Sequence, residues 1–284
     1  MVKTTDVVKR EDTVRRDDMV KALATAALVV LFGMGTACAQ SPPSAAAVKD
    51  LAPSGTLRAA INAGNVVLVQ KDARGQLQGV TVDLAHELAR RLGVPAALVP
   101  FEAAGKVTDA AKTGSWDVGF IAIEPKRAEV IGFTAPYVII EGTYVAAANS
   151  PLKSIADVDR DGIRIAVARG SAYDLYLSRT LQHATLVRYP NPPLALAGYV
   201  ADRIDVAAGV RQQLDGFAKA HPGYRVMDGH FQEIREAMGV PLGHAAGLQY
   251  LKTFVEEMKA SGFVRKALDR AGQADARIAP AAAN

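Results

Sequence analysis

The sequence predicts an α/β fold with parallel strands, and two features of the chain support that prediction. From Leu57 onward, short apolar runs of strand length alternate with stretches of helical periodicity, which is the order of strands joined by helices. Half of the 284 residues are hydrophobic, so the chain can bury a sizeable core. Its length suits one large domain or two lobes of ordinary size.

The N-terminal segment has the layout of a secretory signal peptide. Residues 22–32 carry no charge, Lys21 precedes them, and the small residues Ala37 and Ala39 follow. The apolar run is too short to cross a bilayer, which takes about 20 residues, and a basic, apolar, small-residue order is typical of a cleaved signal. We therefore expect residues 1–39 to be removed and the mature protein to be periplasmic. Translation starts at either Met1 or Met19.

Cys38 is the single cysteine of the chain, and it leaves two maturation routes open. Cleavage after Ala39 would discard it. Lipid modification of Cys38 would instead tether the protein to a membrane. Lipoprotein signals usually place a large aliphatic residue three positions before the cysteine, and Gly35 stands there. Soluble export is therefore the preferred interpretation.

The body of the chain follows residues 40–54, whose content of Ala, Pro and Ser predicts a flexible leader. Strands are predicted where a short apolar run stands between turn residues. In chain order these runs are 57–61, 97–100, 118–123, 163–168, 185–189 and 206–209.

Helices are predicted where apolar residues recur at helical spacing. Residues 82–92 place their apolar side chains on one face, and Gly93 and Pro95 end that helix. The longest late helix is expected over 247–261, and a shorter one over 263–271. The Ala-rich tail, residues 273–284, is expected to be loose.

Composition limits the partners and cofactors. Lys and Arg number 33 and Asp and Glu number 29, and no basic run of the nucleic-acid-binding kind occurs, so no nucleic acid partner is expected. The five histidines do not follow the spacing of metal ligands. Neither a metal nor a cofactor is expected.

Five stretches of the chain occur in the order and approximate spacing of a known family. They are "SGTLRAAIN", "GQLQGVTVDLAHELARRLGV", "SWDVGF", "EPKRAEVIGFTAPYV" and "RIAVARGSAYDL". Over residues 55–272 the chain resembles the family 3 extracellular solute-binding proteins, the receptors that feed ABC importers of amino acids and related molecules. The resemblance implies the two-lobed, type II periplasmic-binding-protein fold, with ligand held in the cleft between the lobes.

The resemblance also implies how the chain is divided. Lobe 1 would be formed by residues 55–142 and, on the return, by residues 235–272. Lobe 2 would be formed by residues 143–234. Two hinge-crossing strands would join the lobes, and we place them near residues 139–147 and 231–239.

Arg127 is the first candidate ligand residue. A small carboxylate must lose its water to enter a closed cleft, so the protein has to supply a cation and several N–H donors. In the family, an arginine before an "FS-x-PY" stretch forks onto the ligand carboxylate, and here "EPKR" ends at Arg127 before "FTAPY". A planar guanidinium is the usual solution for carboxylate recognition. The alternative is a surface arginine that caps a helix.

The second candidate group follows the strand predicted over 163–168. Gly170 and Ser171 precede a helix that starts at Ala172, so unpaired amides and a hydroxyl would point into the cleft. The family's Gly-Thr at this place contacts the ligand carboxylate. An ordinary serine N-cap is the alternative, and both can hold. Asn62 matches a position that often faces ligand, whereas Asn65 stands where many members carry a stacking aromatic.

The chain departs from the family where an α-amino group is normally bound. Members carry an acidic residue five positions after the aspartate of the late strand, and five after Asp205 stands Val210, followed by Arg211. An amine could still be held by Glu124, which replaces the family's Thr, or by Glu141.

Two arginines, Arg127 and Arg211, without the usual acid favour an acidic or non-amino carboxylate ligand. The resemblance implies a monomeric receptor, not an enzyme, that presents this ligand to a membrane permease. The alternative is a periplasmic dehydratase of the cyclohexadienyl type, acting on prephenate or arogenate. Such an enzyme needs a buried carboxylic acid in the cleft, and Tyr173 stands where that acid is expected, one place before Asp174.

Overall fold

The computed structural model describes residues 42–283 of the chain. The predicted signal peptide, its cleavage after Ala39, both possible start residues and the two routes for Cys38 lie outside the described residues. Within residues 42–283, no helix combines the length and the apolar character needed to cross a membrane.

The strands confirm the predicted α/β class. They are β1 (Leu57–Asn62), β2 (Gln70–Lys71), β3 (Leu77–Gln78), β4 (Ala96–Phe101), β5 (Val118–Ala122), β6 (Ile131–Ala147), β7 (Arg164–Ala168), β8 (Thr185–Tyr189), β9 (Val206–Val210), β10 (Tyr224–Val226), β11 (Gln232–Pro241) and β12 (Arg277–Ile278).

The α-helices lie between and after these strands. They are α1 (Ala45–Leu51), α2 (Val80–Leu92), α3 (Ala104–Asp109), α4 (Pro125–Ala128), α5 (Ala172–Thr180), α6 (Pro192–Ala201), α7 (Arg211–Ala220), α8 (Ala245–Ala260) and α9 (Phe263–Arg270), with 3₁₀ turns at Ala110–Lys112 and Ile155–Asp157. Helix α2 begins two residues before its predicted start and ends at Gly93, which adopts the left-handed conformation expected of a C-cap.

The parallel strands form two groups. In the sheet order β4-β1-β5-β11-β6-β9-β7-β8, β1 runs parallel to β4 and β5, and β7 runs parallel to β8 and β9. Between the groups stand β6 and β11, which pair with each other and with their other neighbours in antiparallel fashion. Two parallel groups joined by two long strands form a two-lobed architecture.

Gly142 marks the point where β6 passes from one group of strands to the other. It pairs with Gln232 of β11 on one side and with Val210 of β9 on the other. A Cβ on Gly142 would lie 3.1 Å from the ring of Phe231, so a side chain here would press on the loop that leads into β11.

The central strands are buried on both faces. Every residue of β5 and β9 is buried, as are most of β1 and β7. Such strands give continuous apolar runs rather than alternating patterns, because helices cover both faces of a parallel sheet. This is why the apolar runs of the sequence located them within one or two residues.

The expectation of a flexible leader over residues 40–54 is wrong for α1. Ser44 caps this helix, because its Oγ accepts a hydrogen bond from the Ala47 amide at 3.1 Å. Leu51 is fully buried in the core, and Asp50 accepts a hydrogen bond from the amide of Gly247 in α8 at 2.9 Å. Alanine favours helix, and a tertiary contact that the local composition does not reveal holds this one.

The expectation of a loose tail is wrong as well. Residues Arg277 and Ile278 form β12, which pairs with Ile139 and Val138 of β6. The Ala279 amide donates to the carbonyl oxygen of Tyr137 at 3.1 Å. The open edge of β6 at this point supplies the hydrogen bonds that order the tail, and the side chain of Ala279 is buried.

Candidate functional site

A cavity lies where the carboxyl ends of the two groups of parallel strands face each other. Ligand sites of open α/β sheets occur at these ends, because the loops there precede helix N-termini. The cavity has a volume of about 30 Å³, enough for roughly two waters. Its described lining residues are Asn62, Gly64, Asn65, Ala103, Ala104, Ala122, Arg127, Ala168, Ser171, Ala172, Tyr173, Pro192, Val210, Gln213, Ile234 and Glu236.

Two glycines let the walls of the cavity meet. A Cβ on Gly105, in α3, would lie 2.9 Å from the carbonyl oxygen of Arg169, which follows β7. A Cβ on Gly170 would lie 2.8 Å from the Cα of Gly105. Both distances are closer than non-bonded atoms approach, so the cleft is shut along a glycine-to-glycine backbone contact. A ligand can enter the cavity only when these walls separate.

Arg127 spans the cavity from α4, a short helix that Pro125 starts. Its side chain is buried, with 1 % of the residue exposed. Nη1 donates to the carbonyl oxygen of Ala122 at 2.7 Å, and Nη2 donates to that of Gly170 at 3.0 Å. Nε has no hydrogen-bond partner among residues 42–283. Burial lowers the pKa of Arg127, and the charges of Glu236 and Glu124 oppose that shift.

Glu236 lies on β11 and is the buried acid of the cavity wall. The residue is 3 % exposed, and its Oε1 accepts a hydrogen bond from Nδ2 of Asn65 at 3.0 Å. Its Oε2 is buried and has no partner in the described part of the chain. Burial raises the pKa of Glu236 to about 7, against the lowering effects of the Arg127 charge and the Asn65 hydrogen bond.

Ser171 occupies the N-cap of α5, as one of the two sequence interpretations has it. Its Oγ accepts a hydrogen bond from the Asp174 amide at 3.0 Å. The expectation of unpaired amides at Gly170 and Ser171 is wrong, because the Gly170 amide donates to Asp174 at 2.8 Å and the Ser171 amide donates to Ala168 at 3.1 Å. In this closed cleft Gly170 instead offers its carbonyl oxygen to Arg127.

Asn62 and Ala172 also line the cavity, with Arg127 and Ser171, so half of the eight predicted ligand residues meet at one place. The Oδ1 atom of Asn62 accepts a hydrogen bond from the Gly64 amide at 3.2 Å, which shapes the turn after β1.

Three predicted residues lie outside the cavity wall, in ion pairs of their own. Glu124 is buried and contacts Nη1 of Arg179 at 2.5 Å and Nε2 of Gln232 at 2.6 Å. Nε of Arg211 lies 2.6 Å from Oε2 of Glu141. The structure therefore does not bring Glu124, Glu141 or Arg211 to the cavity wall, and each has an oppositely charged partner elsewhere.

Sequence reasoning missed Glu236 as a site residue. The signal was present in the alternation of β11, because Gln232, Ile234, Glu236 and Met238 share one face of the strand and all four are buried. A carboxylate on the buried face of a crossing strand needs a functional or electrostatic reason. The sequence indicates at Asn65 only that the family's stacking aromatic is absent, whereas in the structure its amide donates a hydrogen bond to Glu236.

Comparison with protein families supports the resemblance seen in the sequence. Residues 57–273 match the family of bacterial extracellular solute-binding proteins, family 3. The lysine/arginine/ornithine-binding periplasmic protein of Escherichia coli (strain K12) is 27 % identical over 191 residues, which are 64 % of this chain and 67 % of that protein. The L-cystine-binding protein TcyJ of the same strain is 24 % identical over 192 residues, 66 % of this chain and 71 % of its own.

Solved structures share the fold at lower identity. The solute receptor for L-cysteine of Neisseria gonorrhoeae superposes with a TM-score of 0.70 at 22 % identity, covering 80 % of this chain and 93 % of the receptor. A mutant of ArgBP from T. maritima superposes with a TM-score of 0.69 at 22 % identity, covering 79 % of this chain and 98 % of the ArgBP chain. The ancestral amino acid-binding protein AncCDT-1, described as a precursor of cyclohexadienyl dehydratase, superposes with a TM-score of 0.66 at 24 % identity. This superposition covers 78 % of this chain and 97 % of AncCDT-1. These superpositions confirm the two-lobed type II fold.

Proposed function

Because the chain belongs to the bacterial extracellular solute-binding proteins, family 3, we propose that it is the periplasmic receptor of an ABC importer and that it binds a small carboxylate between its lobes. One observation supports the assignment of the ligand as a carboxylate. Among the described residues that line the cavity, Arg127 is the one cation, and its Nε is buried without a partner. A carboxylate is the group that fits this unsatisfied donor.

Desolvation of the ligand in the cavity favours a carboxylate bound to Arg127. A ligand carboxylate loses its water in a cavity this narrow, and the loss is tolerable only if charged donors replace the water. A guanidinium offers five N–H donors in a plane and binds a carboxylate with two parallel bonds. Arg127 uses two donor groups on the carbonyl oxygens of Ala122 and Gly170, which fix its plane while Nε stays available.

The contacts of Arg127 and Glu124 also suggest how the receptor closes. Arg127 bonds to Gly170, and Glu124 bonds to Arg179 of α5. Both pairs connect the segment between β5 and β6 with the segment after β7. We place lobe 1 at residues 55–142 and 235–272 and lobe 2 at 143–234, so that both pairs cross the cleft. A ligand that bridges the lobes would shift the open and closed populations toward the closed one.

The named relatives support a ligand of the amino acid class. The two E. coli proteins are named for lysine, arginine, ornithine and L-cystine, and the N. gonorrhoeae receptor for L-cysteine. Each of these molecules carries a carboxylate, which agrees with the role proposed for Arg127. The membrane permease of an ABC importer is the partner that such a receptor would serve.

A thermal-shift screen tests the proposed function. The protein is freed of bound ligand by unfolding and refolding, and then heated with amino acids, dicarboxylates, aromatic acids and plain sugars. A ligand at 100 times its Kd adds about 2.7 kcal/mol of stability, so at least one carboxylate should raise the Tm while the sugars do not. A response to sugars alone would contradict the carboxylate assignment.

A periplasmic dehydratase is the second candidate, and Glu236 favours it. A general acid in a cleft works best with a pKa near the ambient pH, and Glu236 is a buried carboxyl of the cavity wall with a pKa raised to about 7. Burial raises the pKa of Tyr173 to about 12, which is much farther from neutral pH than the pKa of Glu236. Protonation of the leaving hydroxyl of prephenate would release water, CO₂ and phenylpyruvate. Incubation with prephenate and L-arogenate, followed by product absorbance, distinguishes the candidates: turnover supports the enzyme, and binding without turnover supports the receptor.

A further inference from the structure

Two opposite charges face the same cavity, and each is incompletely satisfied. Arg127 and Glu236 both line it and are 1 % and 3 % exposed. Nε of Arg127 and Oε2 of Glu236 are buried without hydrogen-bond partners in residues 42–283. The charge of each residue shifts the pKa of the other, so the two groups are close enough to interact.

Two acidic residues near the cavity are already paired with arginines. Glu124 is paired with Arg179, and Asp174 is paired with Arg188 at 2.9 Å while it accepts the Gly170 amide. Among the described lining residues, Arg127 and Glu236 are the charged ones. The cavity therefore presents one positive and one negative group, and each has a buried atom without a hydrogen-bond partner among the described residues.

A cavity with this pair fits a zwitterion better than an anion. A buried carboxylate or guanidinium is costly unless an opposite charge and hydrogen bonds compensate it. A ligand with only a carboxylate would compensate Arg127 and place a second negative charge near Glu236. A ligand that also carries an ammonium group would compensate both residues and bring no net charge into the cleft.

We propose that Glu236 accepts the ammonium group of the ligand, so that the receptor recognises an amino acid as a zwitterion with its carboxylate at Arg127. This inference rests on the proposed function and identifies the ligand class within it. It reverses the expectation, drawn from the absence of an acid at Val210, that the ligand lacks an amine. The acid comes from β11, where Asn65 donates a hydrogen bond to one of its oxygens and the other oxygen is buried without a partner among the described residues.

Proton exchange is a direct consequence. The groups that face Glu236 are Arg127 from α4, Asn65 from the turn after β1, and the buried hydroxyl of Tyr137 from β6, whose pKa the Glu236 charge raises further. With a pKa of about 7, Glu236 is partly protonated at neutral pH in the free protein. An ammonium group would ionise it and release a proton, whereas a ligand with only a carboxylate would keep it protonated.

The test compares amino acids with the same molecules lacking the α-amino group. The probes are L-lysine with 6-aminohexanoate, L-glutamine with glutaramate, and L-cysteine with 3-mercaptopropionate, each titrated calorimetrically into the ligand-free protein. Glu236→Gln keeps the size of the side chain and an oxygen for Asn65. We expect it to weaken amino acid binding about 30-fold or more, since one partner of a buried charge pair is lost, and to change binding of the deaminated partner by less than threefold.

Glu233→Gln is the matched control, because Glu233 lies three residues earlier on β11 and pairs with Arg277 away from the cavity. It should bind as the unmodified protein does. Equal losses for amino acids and deaminated partners, or no loss in Glu236→Gln, would overturn the proposal and leave the receptor function standing. If the unmodified protein binds none of the three amino acids, the proposal is overturned, and the thermal-shift screen decides separately whether the chain is a carboxylate receptor.

Proton release from the unmodified protein keeps the proposal falsifiable if Glu236→Gln does not fold. Titrations at pH 7 in buffers of different ionisation enthalpy measure the protons exchanged on binding. Amino acid binding should release a fraction of a proton per site, and Glu233→Gln should behave alike. Proton uptake, or no exchange, on amino acid binding would overturn the proposal.

Discussion

Nη2 of Arg127 lies 3.0 Å from the carbonyl oxygen of Gly170, and this contact joins two sides of the cleft. Arg127 belongs to the segment between β5 and β6, whereas Gly170 follows β7. The guanidinium thus has two tasks in the proposed receptor: it offers a donor to the ligand, and it holds the opposite wall.

Arg127→Ala should weaken carboxylate binding by one to four orders of magnitude. The substitution removes charge-assisted hydrogen bonds and leaves a buried ligand charge without a partner, which costs roughly 2 to 5 kcal/mol. Arg127→Lys should recover only part of the affinity, because an ammonium keeps the charge without the planar fork. Calorimetric titration with the best ligand of the thermal-shift screen measures both.

Arg211→Ala is the control for that series. Arg211 is paired with Glu141 outside the cavity wall, so its loss should leave the affinity unchanged within about twofold. A loss comparable to that of Arg127→Ala would mean that the ligand carries two acidic groups and that the cleft rearranges on opening.

Gly105→Ala should hinder closure without harming the open form. The new Cβ would lie 2.9 Å from the carbonyl oxygen of Arg169 across the cleft, and alanine is the better residue inside a helix by about 1 kcal/mol. We expect weaker binding and a larger radius of gyration of the ligand-saturated protein in small-angle X-ray scattering.

Gly216→Ala provides the comparison, because it also lies inside a helix and its Cβ would meet no atom within 4 Å. It should bind and close as the unmodified protein does. Unchanged binding by Gly105→Ala would show that the backbone contact between Gly105 and Gly170 is not part of the ligand-bound state.

Glu236 should make the ligand-free protein less stable as the pH rises. The pKa of this carboxyl is about 7 when folded and near 4.5 ordinarily, so between these values the folded state binds more protons than the unfolded state. Stability therefore falls from about pH 4.5 to pH 7, by roughly 3 kcal/mol, and stays level above.

Glu236→Gln should remove this pH dependence. Denaturant unfolding should find the variant more stable than the unmodified protein at pH 8, with a difference that shrinks toward pH 5. Glu233→Gln should show no such trend. An equal gain at both pH values would mean that the charge of Glu236 is not what the substitution removes.

Leu51→Ala tests whether α1 belongs to the folded body. Leu51 is fully buried in the main hydrophobic cluster, and truncating a buried leucine to alanine costs about 2 to 5 kcal/mol. Lys49→Ala, on the exposed face of the same helix, should cost less than about 0.5 kcal/mol. If the two substitutions had equal effects on urea unfolding, residues 45–51 would be a flexible leader and not part of the folded body.

The sequence by itself determined the α/β class, the main strands and helices, and the family resemblance. These features depend on local patterns: apolar runs of strand length, apolar residues at helical spacing, and short motifs in order. Helix α2 with its Gly93 cap and strand β9 at 206–210 appear in the structure almost as predicted, because strands buried on both faces and amphipathic helices carry their burial pattern in neighbouring residues.

Only the tertiary structure decided which charged residues face the cavity. Glu236 meets Asn65 across 171 residues of chain, Arg211 meets Glu141 across 70, and Glu124 meets Arg179 across 55. No local pattern encodes these pairs, so a sequence-based reading assigns Arg211, Glu124 and Glu141 to the ligand and overlooks Glu236. That α1 and β12 are ordered rather than flexible was decided in the same way, because each packs against a surface that a distant part of the chain provides. A charged side chain can bind a ligand only where folding leaves one of its donor or acceptor atoms without a protein partner, and that condition is set by contacts between residues far apart in sequence.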